Sequence, residues 1–99
     1  MNPRFFQMMA RYHARANKAI YDACAELTED QRRKDMGAFF GNIHNTLNHI
    51  LVVDFLWHDR YVGNPNKGYS YRTMLHEGFE ELRAAHLVHD QEIVDWTMA

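Results

Sequence analysis

Phe39-Phe40-Gly41-Asn42-Ile43-His44-Asn45-Thr46-Leu47-Asn48-His49-Ile50-Leu51-Val52-Val53-Asp54-Phe55-Leu56-Trp57 is apolar enough to be the centre of a fold. It also carries polar residues of the kinds that do chemistry: His44, Asn45, Asn48, His49 and Asp54. Ile43, Leu47, Ile50, Trp57 and Tyr61 recur at helical spacing, with Asp54 in the same row, and predict a helix over 42–61. A second row, Asn42, Thr46, His49, Val53 and Leu56, adjoins the first and sets His49 at the edge of the buried face. His44 points elsewhere on the helix and is expected to be exposed or at the mouth of a bundle. Gly63 suits the C-cap, and Asn64-Pro65 forbids continuation.

Upstream, Phe5, Met9, Tyr12, Ala16, Ala19 or Ile20, Ala23 and Leu27 mark the buried stripe of a first helix from Arg4 to Glu26. Pro3 fits its first turn, where no backbone donor is needed. His13 falls among the outward-facing Arg11, Arg15 and Lys18 and reads as a surface residue. Thr28-Glu29-Asp30-Gln31 is a capping-box pattern for a short helical turn over Glu29–Arg33. Gly37 and Gly41 bracket Ala38-Phe39-Phe40, which reads as a loop plugging two aromatics into a core.

Downstream, Asn64 to Tyr71 reads as a loop whose tyrosines lie over the end of the bundle. A third long helix is expected from near Thr73, with Leu75, Phe79, Leu82, His86, His89, Ile93 and Trp96 as a core seam. That seam buries two histidines and turns Glu77, Glu80, Glu81, Arg83, Asp90 and Glu92 to water. Trp57 and Trp96 read as core or interface anchors. No strand-like alternation occurs, so the fold class is all-α.

A chain of 99 residues is one domain, spanning 1–99. Its net charge of -2, with acidic and basic residues mixed, excludes a basic nucleic-acid stripe. Arg32-Arg33-Lys34 lies among Glu29, Asp30 and Asp35 and reads as a solvated turn. No apolar run approaches membrane-spanning length, and the N-terminus lacks the apolar core of a signal peptide. A lone cysteine, Cys24, makes no internal disulfide and fits a reducing, cytoplasmic setting, where it reads as a buried structural thiol. Seven histidines stand out, since imidazole is both a common metal ligand and an acid–base group near neutral pH.

Residues 39–57 resemble the DinB/YfiT-like family, whose second helix carries an Ile-His-x-Thr-Leu-Asn-His-Ile-Leu core followed by Asp and Trp. The likeness extends more loosely over the whole chain, including Leu82-Arg83-Ala84-Ala85. It implies an up-down-down-up four-helix bundle, often dimeric, with a three-histidine site for zinc or nickel. The histidine from the second helix corresponds to His49, with Asp54 and Asn45 beside it as supporting residues. The other two belong to a His-x-x-x-His pair on the fourth helix. The sequence reaches Ala99 at the end of the third long helix and holds no histidines four apart. A bundle of three long helices is therefore expected, completed by a partner chain in a homodimer, whether the chain is a natural short form or a fragment. His86 and His89, three apart, are the candidates if a site outside the family pattern forms, and otherwise are hydrogen-bonded core residues. Two functions follow from the resemblance. One is a metal-dependent thiol transferase or hydrolase-like enzyme acting on a small thiol. The other is a non-catalytic helical dimerisation module that has lost the metal.

Overall fold

A computed structural model describes residues 3–37, 41–63 and 74–98. Among them are four helices and no strand: α1 (Pro3–Ala25), α2 (Glu29–Arg33), α3 (Ile43–Val62) and α4 (Phe79–Met98). The aromatic plug at Phe39-Phe40 and the loop from Asn64 to Tyr71 lie outside the described residues. The chain divides into two compact units, residues 1–26 with 83–99, and residues 27–82.

In the first unit α1 runs antiparallel to the later part of α4. Gln7 Nε2 donates to the Thr97 carbonyl, Asn17 meets Asp90, and Arg83 pairs with Asp22, so partner numbers fall along α4 as they rise along α1. The face of α1 that turns inward is not the expected one. Ala10, Asn17 and Tyr21 are buried. Phe5, Met9, Tyr12 and Ile20, the expected core stripe, are all exposed. Cys24 is half-buried rather than buried. On α4, Leu82, His86 and His89 are buried as the seam requires, but Trp96 is exposed and Asp90 is buried. Asp90 goes inside, where Asn17 Nδ2 donates to its Oδ2 at 3.0 Å.

The second unit is built on caps and one buried amide. Thr28 Oγ1 accepts from the Gln31 amide, and Gln31 Oε1 accepts from the Thr28 amide, completing the capping box. Arg32 and Arg33 are not merely solvated. The Arg32 guanidinium stacks 4.1 Å over the Phe79 ring, and Arg33 donates to the Glu77 carbonyl. Asn42 is the N-cap of α3, not its first residue, because its Oδ1 accepts from the Asn45 amide at 2.7 Å. Gly63 ends α3 in the left-handed conformation at φ 78°, the C-cap expected of it.

The core face of α3 is rotated from the expected stripe. His44, Leu47, Asn48, Leu51 and Val52 are buried, whereas Trp57 is 49 % exposed, with the Arg60 guanidinium against its ring. The fully buried His44 corrects the expected placement at an exposed position or a bundle mouth. Its Nε2 lies 3.1 Å from the His76 carbonyl and 3.5 Å from the Arg33 guanidinium. Asn48 Oδ1 accepts from the amides of Leu75 and His76, both at 3.0 Å, and its Nδ2 donates to the His76 carbonyl. These bonds hold residues 74–76 outside a helix, so α4 begins at Phe79 and not near Thr73.

Candidate metal centre

The buried face of α1 is polar by necessity of what it meets. His13, Asn17 and Tyr21 follow one another at four-residue steps, so they lie along one side of the helix. His86 and Asp90 are likewise four apart on α4. Antiparallel packing of α1 on this part of α4 brings the two rows together.

Asn17 Nδ2 is at the middle of the group. It lies 3.1 Å from His13 Nε2, 3.1 Å from His86 Nε2 and 3.0 Å from Asp90 Oδ2. An amide nitrogen only donates, so both imidazole Nε2 atoms are acceptors here. The ring proton of His86 is therefore on Nδ1, which donates to Tyr21 Oη at 2.6 Å. The two rings also meet edge to face, with centroids 5.2 Å apart. The bond to Tyr21 orients the His86 ring, the role an outer partner plays for a metal-bound histidine.

Two imidazoles and a carboxylate are a donor set suited to a divalent transition metal. His13, His86 and Asp90 each offer one ligand atom, and these lie within 4.8 Å of one another. Asp90 Oδ1 is 3.9 Å from Nε2 of both histidines. Around a tetrahedral zinc such atoms would be about 3.4 Å apart, so each histidine would close on Asp90 by about half an ångström. His86 and Asp90 are almost wholly buried, at 1 % and 2 %, while the His13 side chain is 42 % exposed. The group is therefore walled on one side and reachable past His13.

The model of the DinB family matches residues 1–98. The chain belongs to the DinB family. No curated protein and no solved structure is a match to it. Family membership agrees with the all-helical class read from the sequence.

The DinB resemblance pointed to His49, and the structure places it on α3, part-buried, in the unit formed by residues 27–82. Asn45 and Asp54 are part-buried on the same helix, and the backbone amide of Asn45 serves the Asn42 cap. His86 and His89 are both buried on α4. His86 joins the group described above, and that group includes neither His49 nor His89. Sequence reasoning missed His13, which it left on the surface, and Asp90, which it turned to water. The available signal was spacing: His86 and Asp90 are four apart, as are His13 and Asn17.

Proposed function

We propose that this DinB-family chain binds a divalent metal, zinc or nickel, through His13, His86 and Asp90. We further propose that the site serves thiol-transferase or hydrolase-like chemistry on a small thiol-bearing substrate. The supporting observation is the convergence of three lone-pair donors, with the His86 ring held in place by Tyr21. When bound, the metal would supply Lewis acidity for polarising a carbonyl or activating a thiol. The chain's own residues have separate tasks. Asp90 contributes the negative charge that offsets a dication. Tyr21 orients the His86 ring. His13, the exposed member, faces the side from which a substrate would arrive.

Elemental analysis after purification in unchelated buffer tests the assignment. Stoichiometric metal is expected, lost in His86→Ala and retained in His49→Ala. Loss in His49→Ala with retention in His86→Ala would move the centre to α3. Absence of metal in the wild-type chain would overturn the reading.

A second reading, a non-catalytic module that pairs with a second copy of itself, is supported by a different observation. Phe5, Met8, Met9, Tyr12 and Ile20 expose an apolar stripe along α1. This reading predicts a homodimer by light scattering that is unchanged by chelator and becomes monomeric when Tyr12 and Met9 are replaced by lysine.

A further inference from the structure

Asn17 Nδ2 sits beside all three metal-ligand candidates. It donates to lone pairs that a cation would also claim. An amide with two hydrogens faces three acceptors, all at 3.0–3.1 Å. A metal about 2.0–2.2 Å from the same three atoms would lie beside that position, which an NH2 group, with hydrogens to give and no lone pair, cannot share with a cation. Entry of a cation therefore requires the NH2 group to leave.

The way out is short. Asn17 is 4 % exposed and its stem is fixed to α1, so the side chain has little room to swing into solvent. A half-turn about the terminal torsion exchanges Nδ2 for Oδ1 without moving the stem, and this torsion is broad and roughly two-fold. The Asp90 carboxylate opposes that exchange without a cation, because the amide oxygen would then face an acceptor. A cation reverses the preference, since amide oxygen is a good ligand for hard and borderline divalent ions.

We propose that Asn17 is a two-position switch at this site, its NH2 group holding His13, His86 and Asp90 in register and its Oδ1 becoming a fourth ligand when a divalent cation binds. This rests on the metal-binding reading above and adds the residue that both guards and completes the site. The resulting set of two nitrogens and two oxygens would favour ions that accept oxygen ligands over strictly thiophilic ones.

The test uses the wild-type chain, labelled with nitrogen-15 and titrated with zinc chloride. The Asn17 side-chain NH2 resonances are assigned by their disappearance in Asn17→Asp. Expected on zinc addition are shifts of the His13 and His86 ring resonances together with a large shift of the Asn17 NH2 pair and loss of its protection from solvent exchange. Ring shifts with an unmoved Asn17 NH2 pair would overturn the switch and leave the metal site standing. No ring shifts would overturn both. Competition against a chromogenic chelator gives a second measure. Asn17→Asp, which offers oxygen in both orientations, should bind zinc at least about tenfold more tightly, and Asn17→Ala more weakly than wild type. Zinc affinity in Asn17→Asp no higher than in wild type would also sink the proposal.

Discussion

Replacing Asn48 by alanine should destabilise the chain far more than removing one average polar side chain. Asn48 is 1 % exposed and serves several backbone groups at once. Its Oδ1 accepts from two successive amides, Leu75 and His76, and its Nδ2 donates to the His76 carbonyl. Alanine would leave the His76 carbonyl beside His44 Nε2, so that group is not the main loss. The two amides lose their acceptor altogether. Each orphaned buried donor costs about 1–3 kcal/mol, and both are only partly shielded from water, so about 3 kcal/mol in all is expected. That is a large share of the roughly 5–15 kcal/mol that holds a small domain folded. At about 4–8 °C per kcal/mol for a chain of this size, Tm should fall by more than about 10 °C. Urea unfolding followed by circular dichroism reads the loss. Hydrogen exchange at Leu75 and His76 locates it, because those two amides should lose protection before any other. A destabilisation below about 1 kcal/mol, or unchanged protection at Leu75 and His76, would refute the claim that Asn48 pins this segment.

Tyr21→Phe removes the partner of His86 Nδ1 and should cost about 1–2 kcal/mol in urea unfolding while weakening zinc binding through the less firmly held ring. Thr28→Ala breaks one half of the capping box and should cost about 1 kcal/mol in the same assay, with no effect on metal content. Lys18, with Arg83, holds the Asp22 carboxyl below its ordinary range, and Arg33 with Arg32 does the same for Glu29. A folded pKa below the unfolded one gives stability that is present above about pH 4 and drains as pH falls through the depressed value. Urea midpoints of Asp22→Asn should therefore lie below wild type near neutrality and approach it in acid, by a small margin because the pair is open to solvent.

Local signals carried over to the structure well. The capping box at Thr28, the short helix Glu29–Arg33 and the left-handed Gly63 each depend on a few neighbouring residues, and each formed as read. What failed was the choice of inward face. The α1 stripe of Phe5, Met9, Tyr12 and Ile20 has good helical period, but period alone does not say which side meets another helix. On α3 nearly every face carries an apolar residue, so the row Ile43, Leu47, Ile50 and Trp57 had a rival through Leu51 and Val52 that shares only Leu47 with it. The rival is the buried one, and it takes His44 and Asn48 inside, where both hydrogen-bond the backbone at Leu75 and His76. No local pattern announces that pairing, because its two halves are 27 or more residues apart.

The same reasoning explains why the candidate metal centre was half legible. His86 was assigned to the core correctly, since its place in the α4 seam follows from period. Asp90 was sent to water because a carboxylate with no known partner is costly to bury. Its partner is Asn17, one helical turn from His13, which read as a surface residue. Each of these two polar residues is admissible inside only if the other is there as well. A polar row at four-residue steps on one helix is thus ambiguous by itself. A second such row on a helix that can run antiparallel to it removes the ambiguity. His13, Asn17 and Tyr21 against Asp90 and His86 satisfy that condition, and the ascending order of the first row matches the descending order of the second.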